Sequence, residues 1–221
     1  MFNIAVIGGT GPQGRGLAYR MALAGHNVTI GSRDAERAAE KAAIIAEKVG
    51  EKGMVTGEEN TAAAQNADLV ILAVPWDGHA DLVTSLAPAL SGKTVISCVN
   101  PLGFDDRGPY GLTLEESAAE EAQRLAPEAT IVGSFHHIAA LSLWKTPEPL
   151  DHDDVLVCGD DEDAKAQVIE LAAVVTGKPG IDAGALRLAR QLEPLTAVLI
   201  NINKKYKTRS GVAITGLEGK L

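Results

Sequence analysis

The feature that most constrains this chain is a glycine-rich turn that directly follows a short apolar run. Ile4–Ile7 contains no breaker and predicts a buried strand. Gly9, Gly11 and Gly14 then give the spacing G-x-G-x-x-G, and a helical apolar pattern begins at Leu17. In this order the first glycine allows a tight turn, the second the approach of a pyrophosphate, and the third close packing of helix on strand. The stretch predicts a dinucleotide site, although the glycines alone are also compatible with a turn that binds no ligand.

The end of the second predicted strand, His26–Ile30, indicates which dinucleotide binds. NAD enzymes usually carry an acidic residue near this point to hold the ribose 2′-hydroxyl. Ser32 and Arg33 instead offer a hydroxyl and a planar cation, which suit a 2′-phosphate. Arg37 lies one helical turn after Arg33, so both guanidinium groups can face one phosphate. We therefore expect NADP; the alternative is a solvated helix start that Asp34 merely caps.

Composition restricts the class of protein. The 221 residues are 46% hydrophobic but 4% aromatic, so the core consists of Ala, Val, Leu and Ile, as in helix-flanked parallel sheets. No apolar run approaches the roughly 18 residues of a membrane span, and Met1 leads almost directly into the first strand, so we expect neither a membrane segment nor a signal peptide. The net charge of −9 argues against nucleic acid and anionic membranes as partners. Cys98 and Cys158 have no metal or disulfide spacing, which indicates a cytoplasmic protein.

Strands and helices alternate along the rest of the chain, which predicts an α/β protein with a Rossmann doubly wound parallel sheet and right-handed crossovers. Residues 103–112, rich in Gly and Asp, are expected to form a loop, either a mobile lid or an ordinary surface loop. Further strands are predicted over 54–56, 69–74, 94–97, 130–135, 154–158 and 181–183. Further helices are predicted over 34–49, 60–64, up to 125 behind a capping box at Thr113-x-x-Glu116, 161–175, and 186–203 with an interruption at Pro194.

Ligands in such sheets bind outside the carboxyl ends of the strands. Trp76 and Asn100 follow two of these strands, and we place both near the nicotinamide, although Trp76 could equally fill the core. His136 follows another strand and is a candidate proton donor or wall; a satisfied core histidine is the alternative. His136 and His137 lack a third metal ligand and point to opposite faces of a strand, so no metal is expected. No nucleophile elbow is present, which leaves hydride transfer.

The C-terminal end carries an unexpected cluster of cations for so acidic a chain. Lys204, Lys205, Lys207 and Arg209 fall within six residues. They form either a solvated tail or a binding strip for an acidic or phosphorylated second ligand. The apolar helix before them, Leu195–Ile202, suits a dimer interface.

Together these motifs resemble the NADPH-dependent oxidoreductases of the deazaflavin coenzyme F420. The resemblance runs nearly end to end: GGTGPQGRGLA at 8–18, GSRDAERAAEKA at 31–42, AVPWDGHA at 73–80, FHHIAA at 135–140, VCGDD at 157–161 and LEPLTAVLININ at 192–203. The first two motifs occur in many NADP enzymes, whereas the combination with the others is specific. The resemblance implies a Rossmann domain over 1–140, a small C-terminal lobe over 141–221 with the deazaflavin site and dimer contacts, and a homodimer.

The resemblance also implies an activity, direct hydride transfer between NADP(H) and coenzyme F420 with the two rings closely aligned. The basic segment would suit the coenzyme's phospholactyl-oligoglutamate chain. Gly78, and Ala139 where some relatives have proline, put the local loop shapes in doubt. An imine or ferric reductase, or a non-catalytic NADP redox sensor, is the alternative. The implied contacts are Thr10, Gly11, Pro12 and Gln13 for the pyrophosphate; Ser32, Arg33 and Arg37 for the 2′-phosphate; Trp76, Leu102 and Ala140 for the nicotinamide; and His136 and Ile138 for the deazaflavin.

Overall fold

The structure, a computed structural model, describes residues 1–217 of the chain. The strands are β1 (Asn3–Ile7), β2 (Asn27–Ser32), β3 (Val55–Glu59), β4 (Leu69–Leu72), β5 (Thr94–Ser97), β6 (Leu102–Asp105), β7 (Gly108–Gly111), β8 (Thr130–Ser134), β9 (Leu156–Gly159) and β10 (Ile181–Gly184). The helices are α1 (Pro12–Leu23), α2 (Ala35–Val49), α3 (Asn60–Gln65), α4 (His79–Leu90), α5 (Ala118–Leu125), α6 (Ala140–Lys145), α7 (Glu162–Thr176) and α8 (Ala189–Tyr206). Short 3₁₀ turns lie at Gly50–Lys52 and Leu186–Leu188. None of the helices within 1–217 is long and apolar enough to cross a membrane.

Eight strands form one sheet in the order β3-β2-β1-β4-β5-β8-β9-β10. The first six of these are parallel, and β1 pairs with β2 and β4 in a register that places Val6 opposite Ile30 and Ile71. This arrangement confirms the predicted Rossmann sheet. The sheet is not parallel throughout, however, because β9 runs antiparallel to β8 and β10 runs parallel to β9. The starts of β9 and β10 therefore lie at the same edge as the carboxyl ends of the other six.

The central strands are apolar on both faces because helices cover both sides of the sheet. Ile4 and Val6 of β1 pack with Leu17 and Met21 of α1 on one side. Ile7 of the same strand belongs to the core on the other side, with residues of α3, α4 and α5. The continuous apolar runs that predicted β1 and β4 are thus explained by burial on two faces.

Residues 141–217 contribute to the same sheet as residues 1–140, because β9 pairs directly with β8. Helix α6 begins at the predicted boundary and packs on α1, where a Cβ added to Gly16 would lie 2.6 Å from the Cβ of Leu143. The division into two domains at residue 140 stays a prediction, and the sheet itself is continuous across it.

The segment expected to be a loop over 103–112 is largely a β-hairpin of β6 and β7, so that prediction was wrong. The turn is made locally: the carboxylate of Asp105 accepts hydrogen bonds from the backbone N–H groups of Arg107 and Gly108, at 2.8 and 3.1 Å. Gly108 has φ +121, which a residue with a side chain rarely adopts. The same Gly and Asp residues that suggested a loop are the ones that close this hairpin.

The capping box of α5 lies four residues later than predicted. Ser117 and Glu120 form it: the Ser117 hydroxyl accepts from the Glu120 N–H, and the Glu120 carboxylate accepts from the Ser117 N–H. Thr113 does not cap the helix, and Glu116 instead pairs with Arg124. Thr113–Glu116 and Ser117–Glu120 both satisfy the capping rule, and α5 begins directly after Ser117.

The interruption predicted at Pro194 is absent, since α8 is continuous from Ala189 to Tyr206. Pro194 lies in the second turn of this helix, where it lacks the backbone N–H that another residue would donate.

Candidate active site

The turn after β1 contains four glycines with different surroundings. Gly8 has φ +83, so the left-handed turn residue is Gly8 rather than Gly9. A Cβ added to Gly9 would lie 2.5 Å from the Cβ of Ile30, and one added to Gly14 would lie 2.5 Å from the Gly8 carbonyl oxygen. At Gly11 the nearest atom would be 3.4 Å away, an ordinary contact. Close packing therefore requires glycine at 8, 9 and 14, and the space beside Gly11 is open to a ligand.

Helix α1 begins directly after this open position. Gly11 is its N-cap residue, with extended backbone and no side-chain hydrogen bond to the helix, and Pro12 is the first helical residue. The next backbone N–H groups, with the positive end of the helix dipole, face away from the helix body toward the turn. The side chain of Gln13 is used elsewhere: its amide donates to the carbonyl of Phe135, at 3.2 Å. The helix start fits a pyrophosphate through its backbone.

Two exposed arginines lie beyond the end of β2. Arg33 and Arg37 form no ion pair within residues 1–217 and are open to solvent. The backbone N–H of Asp34 donates to the Ser32 hydroxyl at 3.3 Å, and the Asp34 carboxylate accepts from the Arg37 N–H at 3.1 Å. Asp34 is thus the cap of α2, as one hypothesis held. The capping leaves both guanidinium groups available, so it does not compete with phosphate binding.

A cleft of about 940 Å³ opens beside this nucleotide turn, at the carboxyl edge of the sheet. Its walls come from the ends of β4, β5 and β8, from α6 and α8, and from the segment after α8. Residues 207–215, which follow α8, are called the C-terminal strap below. The lining residues are Gln13, Ala73, Val74, Cys98, Asn100, the run from His136 to Ser142, Thr196, Leu199, Ile200, Asn203 and the strap residues Lys207 to Ser210.

Asn100 connects three parts of this cleft. Its amide nitrogen donates to the carbonyl of His136 at 2.9 Å and contacts the Thr196 hydroxyl at 3.1 Å. The Thr196 hydroxyl donates to the same carbonyl at 2.7 Å. Phe135, which directly precedes His136, has φ +60. This backbone conformation costs energy in residues other than glycine, so surrounding contacts must hold it in place. We call these three residues, Asn100, His136 and Thr196, the carbonyl clamp.

The imidazole of His136 is 2% exposed, and burial lowers its pKa to about 3. The ring is therefore neutral at physiological pH. Its Nδ1 lies 3.2 Å from the Asn100 side-chain oxygen, and its Nε2 has no hydrogen-bond partner within residues 1–217. Burial favours a wall residue over a proton donor, and a catalytic role for His136 stays a prediction.

The expected site residues divide between the cleft and its surroundings. Gln13, Asn100, His136, Ile138 and Ala140 line the cleft together. The expected phosphate contacts at Thr10–Pro12, Ser32, Arg33 and Arg37 lie beside the cleft, not in its lining. Trp76 and Leu102 do not line it either: the half-buried ring of Trp76 stacks on His79 with centroids 5.4 Å apart, and Leu102 begins β6. The stacking favours the hypothesis that Trp76 fills the core. No group of three or more His, Cys, Asp or Glu side chains within 1–217 is arranged to hold a metal ion.

Arg20 is a supporting residue that the sequence analysis missed. It is 1% exposed, and its guanidinium donates to the carbonyls of Leu143 at 2.9 Å and Glu148 at 2.8 Å, with a longer bond to Pro147. These bonds fix the carboxyl end of α6, whose first turn is a wall of the cleft. An arginine among the apolar residues of a predicted helix was the available signal.

Glu193 anchors α8 and was also missed. This carboxylate is 2% exposed and accepts the backbone N–H groups of Ala118 and Ala119, at 2.9 and 3.0 Å, at the start of α5. Burial raises its pKa to about 7. Beside it, Arg190 makes two hydrogen bonds to Glu120, at 2.7 and 2.8 Å. These contacts hold the first half of α8, which carries Thr196 into the cleft.

The C-terminal strap returns across the cleft and is tied down at two points. Ser210 binds the side chain of Asn203 through both its N–H and its hydroxyl. Further on, the Asp154 carboxylate accepts from the Ile214 N–H at 2.6 Å, and the Asp154 N–H donates to the carbonyl of Val212 at 2.7 Å. The strap thereby becomes part of the site rather than a free tail.

Comparisons with known proteins extend over both the nucleotide turn and the cleft. Residues 3–101 match the family described as "NADP oxidoreductase coenzyme F420-dependent". The chain is 40% identical to "F420-dependent NADP reductase" of Methanocaldococcus jannaschii, over 98% of this chain and 99% of the relative. It is 39% identical to the protein of that name from Methanothermobacter thermautotrophicus, over 98% of this chain and 96% of the relative. A solved structure from Arthrobacter sp. FB24, described as an F420-dependent NADP-reductase, has a TM-score of 0.80 at 30% identity and covers 97% of this chain and 100% of that chain.

Proposed function

Since this chain belongs to the family of F420-dependent NADP oxidoreductases, we propose how its own residues serve that reaction. The chain is an NADP-dependent oxidoreductase that uses NADP(H) and coenzyme F420. The two bound rings supply the redox chemistry, a direct hydride transfer, and the protein supplies their alignment and the exclusion of water. The observation that carries the proposal is the cleft of about 940 Å³ that extends from Gln13, beside the nucleotide turn, to α8 and the strap. A sensor of NADP alone would not need this second surface.

The nucleotide half of the site lies beside the cleft and holds NADP(H). We infer that the open position at Gly11 and the uncapped start of α1, over Thr10–Gln13, receive the pyrophosphate. Ser32, Arg33 and Arg37 bind the 2′-phosphate, since both arginines are exposed and free of ion pairs in the described chain. The side chain of Gln13 connects this half to β8, so the position of α1 and the position of the second wall are coupled.

The other half of the site, which is the cleft itself, holds the deazaflavin. The carbonyl clamp fixes the backbone at His136, and so it sets the position of Ile138 and Ala140 against the space beside the nicotinamide. His136 serves as a neutral wall, because its pKa of about 3 means that the ring is not in the acidic imidazolium form near pH 7. Trp76 and Leu102 lie outside the cleft and are expected to contribute through packing.

We further infer that the protein is a homodimer and acts in the cytoplasm. The exposed side of α8 carries Val198 and Tyr206, Leu188 is exposed directly before the helix, and Phe104 and Tyr110 are exposed on the adjacent hairpin. Exposed apolar residues of this size favour association with a second copy. Two free, buried cysteines fit a reducing compartment. Light scattering on the purified protein tests the dimer, with Val198→Glu expected to give monomers.

A single assay tests the activity and both substrates. Purified protein is mixed with NADP and reduced F420, and the recovery of the oxidised deazaflavin absorbance is followed. We expect fast, saturable recovery with NADP and slow recovery with NAD at the same concentration. Binding of NADP without any recovery of absorbance would contradict the activity and favour the sensor hypothesis.

A further inference from the structure

We propose that Lys207 and Arg209 of the C-terminal strap form an anion-binding subsite at the mouth of the cleft, for a phosphate or carboxylate group carried by the second substrate. The inference rests on the proposed function, because it assumes that this half of the cleft holds a second substrate. It adds the chemical class of group that this substrate presents outside its ring system.

The first observation is the charge of the residues that line the cleft. Lys207 and Arg209 line the cleft and are exposed to solvent, so they lie at its open side. No aspartate or glutamate lines the cleft within residues 1–217, and burial lowers the pKa of both His136 and His137, which keeps these rings neutral. In a chain of net charge −9, the charged groups facing this cleft are therefore all cations. Such a lining selects for an anionic ligand.

The two cations are also uncompensated and held in place. Neither forms an ion pair within residues 1–217, although 29 carboxylate side chains are present in the chain. Lys207 caps α8 in the left-handed conformation, with φ +52, and its N–H donates to the carbonyl of Asn203. Ser210 is fixed on the side chain of Asn203, and Ile214 on Asp154. A solvated tail would not need anchors on both sides of its charges.

The phosphates of NADP have other partners, so they do not account for this subsite. The 2′-phosphate is assigned to Arg33 and Arg37 and the pyrophosphate to the start of α1, and neither arginine lines the cleft. The hydroxyls of Ser142, Thr208 and Ser210 also line it and can donate to an oxyanion. The structure also divides the basic cluster, because Lys204 and Lys205 lie outside the cleft lining.

The test compares two substrates and two pairs of substitutions. Lys207→Gln with Arg209→Gln is expected to raise KM for F420 about tenfold, as two exposed charge-assisted contacts are lost. KM for the same deazaflavin without its anionic side chain, KM for NADPH, and kcat are expected to stay within about twofold. Lys204→Gln with Lys205→Gln removes the same charge outside the cleft and is expected to change none of these values.

Equal rises in KM for both deazaflavins would show that the strap is merely structural and would overturn the subsite, as would an unchanged KM for F420. Titration calorimetry of the NADP-saturated protein supplies a readout without turnover. Inorganic phosphate and γ-glutamylglutamate are the two probes. Heat of binding with inorganic phosphate indicates that the subsite accepts a phosphate group, and heat of binding with γ-glutamylglutamate indicates that it accepts a chain of carboxylates. Binding of either probe that is lost in the Lys207→Gln, Arg209→Gln variant supports the subsite, and binding of neither contradicts it. Absence of turnover with both deazaflavins in the wild type would instead contradict the proposed function.

Discussion

The nucleotide half of the site is assembled from neighbours in sequence, and the deazaflavin half from distant segments. Every group assigned to the NADP phosphates falls within residues 8–37. In the other half, Asn100 reaches His136 across 36 residues and Thr196 across 96. The first half is positioned by glycines that allow close backbone packing, and the second by two hydrogen bonds to the carbonyl of His136. A local motif therefore specifies one substrate, whereas the other depends on the whole fold.

The largest expected effect lies in the nucleotide half. Replacing Arg33 and Arg37 together with Ala removes two charge-assisted contacts to the 2′-phosphate. We expect kcat/KM for NADPH to fall about 100-fold, and kcat/KM for NADH, which lacks this phosphate, to change little. Steady-state kinetics with both cofactors checks this. Equal losses with the two cofactors would remove the phosphate role from these arginines.

The deazaflavin half is expected to respond to acid. His136 has a pKa of about 3 in the folded chain, against 6.5 for an ordinary histidine. Between these values the unfolded chain binds a proton that the folded chain does not, so stability falls as the pH drops below 6.5. At pH 5 this single group is expected to cost about 2 kcal/mol.

Urea unfolding at pH 7 and pH 5 measures that loss, with His136→Asn as the comparison. The variant lacks the buried imidazole but keeps His137, so the difference between the two proteins isolates one group. The wild type should lose about 2 kcal/mol more than the variant between these pH values. Parallel losses in the two proteins would mean that the ring is not buried in the neutral form.

A smaller effect is expected from the carbonyl clamp. Asn100→Leu keeps the size of the side chain but removes the donor to the His136 carbonyl, and the local backbone is then held by Thr196 alone. We expect kcat/KM for F420 to fall about tenfold and the Kd of NADP to change less than twofold. Thr196→Ser, which retains the hydroxyl, is the matched control. If the Kd of NADP rises as much as KM for F420, the two halves are not separable in this way.

The smallest effect is expected from His136 itself. His136→Asn retains a polar group near Asn100 but shortens the wall of the cleft, so turnover with F420 should fall about threefold to fivefold while NADPH binding is nearly unchanged. Turnover and NADPH titration on the same preparation check this. Unchanged turnover would leave His136 as a residue of the core.

These differences also explain what could be predicted from the sequence. The Rossmann sheet follows from the alternation of apolar strands with helices, and the glycine spacing predicted the turn between β1 and α1. The resemblance to the family, carried by motifs up to residue 203, is confirmed by relatives about 40% identical over nearly the whole chain. The assignment of single residues to the two ligands stays a prediction.

The failures share a physical cause. The Gly and Asp residues at 102–111 are compatible with either a loop or a hairpin, and the capping pattern before α5 occurs twice. In both cases tertiary packing decides between two local structures. Arg20 donates to backbone carbonyls of a remote segment and Glu193 accepts from backbone N–H groups of another, and such backbone groups leave no pattern in a sequence. The strap is held by the side chains of Asn203 and Asp154, and nothing in the sequence links these residues to it. Such contacts are visible only after the chain has folded.

The contacts of Arg20 have a consequence for how this protein is made. The face of α1 that carries Gly16 and Arg20 is covered by α6 and by the carbonyls up to Glu148. While the chain emerges from the ribosome, the residues of the nucleotide turn are complete by residue 37, but this face of α1 stays uncovered until residues 140–148 have followed. During synthesis the nucleotide motif is thus exposed before the contacts with α6 can stabilise α1, and a fragment ending at residue 140 would lack these contacts.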